Sequence, residues 1–153
     1  MSRTRRARPL GRAAAGVLVG VLTGCGGAQA TVYRDPTALA LAAARAMARG
    51  DPVGLCGTLT PHAQRFYGTP LLRREPRTRP GAACVVVFRA DFRDPNGDLG
   101  QFRMYGTARV DRVSPSNDGT RVTVRLSGSP LRTAHAVQAQ GGAWLLTGLP
   151  DEG

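Results

Sequence analysis

The three cysteines, Cys25, Cys56 and Cys84, have the side chains best suited to covalent chemistry in this sequence. A thiol can accept a lipid, join a second thiol in a disulfide, or ligate a metal ion. No Cys-x-x-Cys pair is present, and a zinc site would need more ligands than these. We therefore predict no bound metal and no cofactor. The residues around each cysteine indicate its role.

Residues 1–24, which precede Cys25, have the composition of an export signal. Five arginines lie in the first twelve residues, and all ten acidic residues follow Cys25. The apolar stretch 13–24 would span roughly 18 Å as a helix, well short of a hydrocarbon core of about 30 Å. The pattern predicts a cleaved signal peptide rather than a permanent membrane span.

The residues Leu22-Thr23-Gly24-Cys25 resemble the bacterial lipobox. The resemblance implies cleavage before Cys25, a diacylglyceryl thioether on its sulfur and often an acyl chain on its new amine. Residues 25–34 would then be a tether at the extracytoplasmic face of the cell membrane, since two or more chains anchor stably. The alternative is ordinary secretion with cleavage after Ala30, which would remove Cys25. The export route, general or twin-arginine through Arg5-Arg6, stays open.

Cys56 and Cys84 remain once Cys25 is assigned to the lipid. An even remainder in an exported domain is what one disulfide requires. The alternatives are two free buried thiols or a redox pair.

The strong positive charge does not indicate nucleic-acid binding. All 21 basic residues are Arg, and the formal charge is +11. Arginine in place of every lysine, with abundant Ala, Gly and Pro, is typical of GC-rich coding. No basic stripe with interleaved aromatic residues and no nucleic-acid-reading motif is present, so we predict no nucleic-acid partner.

Three helix-start signals follow the tether. Asp35-Pro36 opens a helix that Gly50 closes, Asp51-Pro52 opens a short second helix, and Thr60-Pro61 opens a third that Gly68 should end. Residues 69–82 are predicted to be irregular.

The pattern then changes to alternation. Phe88, Ala90 and Phe92 alternate with charged residues and predict a strand, although a short helix over 82–87 is possible. A turn is predicted at 93–98, followed by a strand from Phe102 through Val113. Asp118-Gly119 predicts a hairpin, with Val122, Val124 and Leu126 on one face of the next strand. Gly141-Gly142 predicts the last hairpin. The fold class is therefore α+β, one domain over 35–150, with helices on one face of an antiparallel sheet.

This order, with the segments 35–64 and 141–150 (GGAWLLTGLP), is similar to small lipoproteins of high-GC bacteria that carry a nuclear transport factor 2-like domain. The resemblance covers about 33–150 and implies a cone of helices closed by a curved antiparallel sheet. Cys84 falls where such lipoproteins commonly carry a second cysteine. The implied cavity would be lined by some of Phe88, Phe92, Tyr105, Trp144 and His135.

Several enzymes share this cone, among them isomerases and cyclases that need a carboxylate or histidine in the cavity. Asp91, Asp111 and His135 are the candidates here, each with a simpler interpretation as a solvated strand residue. His62 is expected to be exposed in a first helical turn. Asp94-x-Asn96-x-Asp98 begins like a calcium loop but has Leu99 and Tyr105 where glycine and glutamate are needed, which favours a polar turn.

Four arginines, Arg73, Arg74, Arg77 and Arg79, form the densest charge after the leader and are either a membrane-facing patch or a solvated loop. We expect a lipid-anchored protein with no catalytic site, which binds a small apolar ligand or a protein partner of the cell envelope. The alternatives are a cone-fold enzyme of isomerase or cyclase type, and an accessory structural domain of an envelope complex.

Overall fold

The computed structural model describes residues 31–94, 105–128 and 133–150. Residues 1–24, predicted to be a signal peptide, lie outside these residues, as do Cys25, the turn at 95–98 and the stretch around Phe102. Of the strand predicted from Phe102 through Val113, the described part is strand only from Arg109 onward. Within the described residues, four helices precede four strands, which confirms the mixed α+β class.

The first three helices begin where the sequence predicts. They are α1 (Pro36–Arg49), α2 (Pro52–Gly57) and α3 (Pro61–Leu72). Each has proline in its first turn and a side chain that accepts backbone N–H groups. The Asp35 carboxylate accepts from Thr37 N at 2.9 Å, and such caps are worth about 1 kcal/mol each. Gly50 ends α1 with φ of 61°, a conformation that glycine adopts without strain.

Two predictions in the next segment are wrong. Helix α3 does not stop at Gly68 but continues through it and through Pro70 to Leu72. Residues 80–91 form a fourth helix, α4 (Pro80–Asp91), so the predicted strand over 88–92 does not exist. The possible helix at 82–87 was the correct alternative, and the irregular part shrinks to 73–79.

Helix α4 forms because its apolar residues face α3. Gly68 is buried, and a Cβ built on it would lie 2.8 Å from Ala83 Cβ and 3.1 Å from Cys84 N. The absence of a side chain therefore lets the two helices approach closely, as helices do where small residues meet.

The sheet is an antiparallel meander in the order β1-β2-β3-β4. Its strands are β1 (Arg109–Pro115), β2 (Arg121–Ser127), β3 (Thr133–Gln138) and β4 (Trp144–Leu146). The Asp118-Gly119 hairpin is confirmed. Asp118 Oδ1 accepts from Ser116 Oγ at 2.5 Å and from Thr120 N at 3.0 Å. These hydrogen bonds, from Ser116 above all, lower the pKa of Asp118 to about 2.

The core lies between α1 and one face of the sheet. Helix α1 contacts all four strands, and its buried alanines let it lie close to them. Val122, Val124 and Leu126 point inward from β2, as predicted. Single-residue bridges of Tyr33 and Leu59 cover the outer edge of β4, which leaves that edge unavailable for pairing.

Candidate functional site

Cys56 and Cys84 form a disulfide, as predicted. The bond joins α2 to α4, with an S–S distance of 2.03 Å and a Cα–Cα distance of 6.1 Å. Both cysteines are essentially fully buried. The pair is placed to hold the helices together, and neither sulfur is exposed to a substrate.

Two of the three candidate catalytic side chains face solvent. His135 is exposed on β3, with its buried neighbours Ala134 and Ala136 pointing the other way into the core. Its Nδ1 lies 3.3 Å from Thr123 Oγ1 on the neighbouring strand. Asp111 is exposed where the β1 register shifts. His62 is exposed in the first turn of α3.

Asp91 is the third candidate and differs from the other two. It is the last residue of α4 and is partly buried. Burial raises the pKa of its carboxyl above the usual 3.8, and the nearby Asp94 carboxylate adds to that rise. Asp91 therefore lies on a helix, away from the strand position that the sequence predicts, and the structure does not bring it together with His135 on one strand face.

The aromatic residues predicted to line a cavity divide into two groups. Phe88, Tyr105 and Trp144 are buried in the packed core, and Phe92 packs against that core while partly exposed. The rings of Tyr67, Phe88 and Phe92 follow one another, with centroids 5.3 and 6.3 Å apart. His135 is on the opposite, solvated face of the sheet. Phe88, Tyr105 and Trp144 therefore fill the core, as interior aromatic residues usually do.

A groove of about 640 Å³ runs beside α1, where no sequence pattern pointed. Its wall includes the apolar side chains of Tyr33 and Leu41 and the charged groups of Arg45, Arg49 and Asp51. The volume exceeds the roughly 300 Å³ at which small-molecule sites begin, but the groove is open to solvent on one side.

The arginines predicted as a possible membrane patch are exposed around the connection between α3 and α4: Arg73, Arg74, Arg77 and Arg79. None of the four guanidinium groups takes part in an ion pair or side-chain hydrogen bond in the described parts of the chain. Arg73 also lines a shallow groove of about 390 Å³ with Arg65 and Leu72.

A second basic surface lies on the outward face of the sheet. Strand register places Arg112 of β1 directly opposite Arg125 of β2, and Ser114 opposite Thr123. Because β2 alternates, Arg121 and Arg125 face outward while Val122, Val124 and Leu126 face the core. Arg109 pairs with Ser127 on the same outward side. We call this surface the arginine sheet face. Its arginines are Arg109, Arg112, Arg121 and Arg125.

Sequence reasoning missed this face because a bulge sets it. The register shifts between Val110 and Arg112. Asp111 therefore has no register partner on β2, and Arg112 lies opposite Arg125. Simple alternation would have put Arg109 and Asp111 on one face and Arg112 on the other. The alternation in β2 was the signal available in the sequence, since it already placed Arg121 and Arg125 on the strand face away from the apolar residues.

Within the described residues, no group of three or more His, Cys, Asp or Glu is placed to hold a metal ion, and no helix has the length and apolar character needed to cross a bilayer. No protein-family model matches the chain, and comparison with curated proteins and with solved structures likewise gives no match.

Proposed function

We propose that this chain is an exported lipoprotein, held at the extracytoplasmic face of the cell membrane by a lipid on Cys25. The observation that carries the proposal is Leu22-Thr23-Gly24-Cys25, placed directly after an apolar stretch too short to remain in the membrane. The Cys56–Cys84 disulfide supports it, because such bonds persist in oxidising compartments outside the cytoplasm. Of the three cysteines in the sequence, Cys25 is the one outside this pair.

Replacing Cys25 by Ser tests the anchor. Cells fed an alkyne-bearing fatty acid should label the wild-type chain and leave Cys25→Ser unlabelled. The matched control is Ala30→Arg, which blocks ordinary signal cleavage after Ala30 but leaves the lipobox intact, so its labelling should equal that of wild type. Label retained on Cys25→Ser, or lost from Ala30→Arg alone, would contradict the proposal.

We infer that the tethered domain acts by binding a protein partner of the envelope. The support is that Phe88, Tyr105 and Trp144 are used in core packing, whereas the charged surfaces are exposed. Arginine is among the residues enriched in protein interfaces, whereas Phe88, Tyr105 and Trp144, packed in the core, do not line an open cavity.

A small apolar ligand is the second candidate, favoured by the groove beside α1. Ala42 lines this groove and is only partly buried, so Ala42→Trp should fill it. If the domain holds such a ligand, mass spectrometry of an organic extract of the purified wild-type protein will detect it, and the extract of Ala42→Trp will lack it. Extracts free of any apolar compound favour the partner.

The nuclear transport factor 2-like cone belongs to the same proposal. It is supported by the order of elements, helices first and a meander last, and by Gly141-Gly142, which precede the Trp144 strand by one residue. The cyclase or isomerase alternative is supported only by the raised pKa of Asp91, since Asp111 and His135 are exposed.

A further inference from the structure

The arginine sheet face contains a pair of like charges in direct cross-strand register. Arg112 and Arg125 are opposite each other on β1 and β2, where side chains start only about 4.5–5.5 Å apart. Both are exposed, and neither takes part in an ion pair or side-chain hydrogen bond in the residues that the structure describes. Like charges placed directly opposite each other destabilise a sheet, and an anion bound by both guanidinium groups would offset that repulsion.

The acidic groups near this face do not neutralise that pair. Asp118 at the adjacent turn accepts hydrogen bonds from Ser116 and Thr120. The positive charge that acts on its carboxylate is that of Arg121. Asp111 sits at the bulge, exposed, and forms no ion pair in the described chain. Arg109 adds a further positive charge on the same side of β1. The surface therefore has a net positive charge centred on Arg112 and Arg125.

Hydroxyl groups flank the two arginines. Ser114 and Thr123 are cross-strand neighbours on the outward side, and Thr133 is opposite Arg125 on β3. The Thr123 hydroxyl also lies 3.3 Å from His135 Nδ1, so Ser114 and Thr133 are the hydroxyl donors without that contact. Paired guanidinium groups beside hydroxyl donors are suited to phosphate oxygens, which accept several charge-assisted hydrogen bonds at once. All four arginines of this face are exposed, so the surface fits a layer of phosphate groups better than one enclosed anion.

The path of the chain brings this face close to the proposed anchor. Thr31 is six positions after Cys25 in the sequence, which limits the distance between them to about 20 Å even when the chain is fully extended. Tyr33 then pairs with Trp144 at the β4 edge of the sheet. From there to β1 is three strand spacings, about 15 Å. A lipid on Cys25 therefore holds the sheet within reach of the bilayer surface.

We propose that the arginine sheet face docks the domain onto the anionic phospholipid headgroups of the membrane that holds its lipid. This inference rests on the proposed anchor for its choice of ligand, and it concerns residues that the sequence did not single out. Docking would fix the orientation of the domain on the membrane and turn the opposite side, with the groove beside α1, toward the envelope.

The test uses the full chain with Cys25→Ser, so that no lipid contributes to binding. Sedimentation with vesicles of phosphatidylcholine, with and without one third phosphatidylglycerol, measures the partition coefficient. Each basic residue near an anionic surface contributes about fivefold. Arg112→Gln with Arg125→Gln should therefore lower partitioning onto anionic vesicles by roughly 10- to 30-fold.

The matched control is Arg89→Gln with Arg93→Gln, which removes the same charge from exposed positions on α4 and directly after it, where the helix packs on α3 and α2. It should change partitioning by less than about threefold. The leader is present in every variant, so a difference between the two pairs comes from the replaced arginines alone. Amide chemical shifts give a readout independent of the leader: short-chain phosphatidylglycerol should shift Ser114 and Thr123, and inorganic phosphate at the same concentration should not.

Three results would overturn the proposal: equal losses from the Arg89/Arg93 pair and the sheet pair, a loss confined to Arg73→Gln with Arg74→Gln, or equal shifts with inorganic phosphate. Fatty-acid labelling of Cys25 is a separate measurement. An unlabelled Cys25 with intact vesicle binding would refute the anchor alone, and a labelled Cys25 with no charge-dependent binding would refute the docking face alone.

Discussion

Breaking the Cys56–Cys84 bond should cost a large part of the stability of this small domain. The two residues are 28 apart in sequence. On the chain-entropy model, releasing a loop of that length lowers the free energy of unfolding by about 3.5 kcal/mol at 25 °C. For a domain of this size, that corresponds to a fall in Tm of about 10–15 °C.

The assay is urea unfolding followed by the fluorescence of Trp144, the single tryptophan, in a Cys25→Ser background. Reduction removes the covalent bond only. Cys56→Ala with Cys84→Ala also removes two sulfurs from sites that are no more than 1% exposed, so it should cost more than reduction does.

The single variants supply the control. Either Cys56→Ala or Cys84→Ala breaks the same bond, so each should cost nearly as much as the double variant, and the effects should not add. A loss below about 1 kcal/mol on reduction, or additive single effects, would refute the structural role of the bond. Free thiols at both positions in the unreduced protein would refute the bond itself.

Three further predictions concern single residues. Gly68→Ala should lower the free energy of unfolding by about 1–3 kcal/mol in urea titration, because its Cβ would meet Ala83 at 2.8 Å. The control Gly57→Ala, with open space around the new Cβ, should not, and equal effects would contradict the close packing of α3 on α4. Arg112→Glu should raise stability by about 0.2–1 kcal/mol in the same titration, since it faces Arg125, and a loss of stability would contradict the register. Because the folded pKa of Asp91 is raised, the folded state binds its proton more tightly, and wild-type stability should fall as pH rises from 3.8 through that raised pKa. Asp91→Asn should remove this fall and raise stability at pH 7 by about 0.3–1 kcal/mol, partly because the negative charge of Asp91 lies at a helix C-terminus. An unchanged Tm from acid to neutral pH in both proteins would contradict this role of Asp91.

The helix starts could be predicted because they depend on local chemistry. Asp35, Asp51 and Thr60 each precede a proline, and each cap needs only the residues within one turn. The hairpin at Asp118-Gly119 is local in the same way. The disulfide followed from counting, since only two cysteines remained once Cys25 was assigned to the predicted lipid.

Helix α4 could not be predicted with the same certainty because its spacing fits two periods. Phe88 and Phe92 are four residues apart, which places them on one side of a strand and also on one side of a helix. Ala90, exposed here, would have shared their face in a strand. What decides the helix is tertiary: the contact with Gly68 and the bond from Cys84 to Cys56.

The arginine sheet face depended on the register between two strands. The outward positions of β2 were readable from its alternation. The pairing of Arg112 with Arg125 was not, because one bulged residue reverses which side of β1 faces outward. Local pattern therefore predicts the elements, whereas the basic surface is set by how those elements pair.

Mass spectrometry of the N-terminal peptide of the mature protein tests the central claim most directly. The anchor predicts a first residue of Cys25 with a diacylglyceryl group on its sulfur, in protein recovered from the membrane fraction. A mature chain that begins at Thr31 without any lipid, recovered in the soluble fraction, would contradict it.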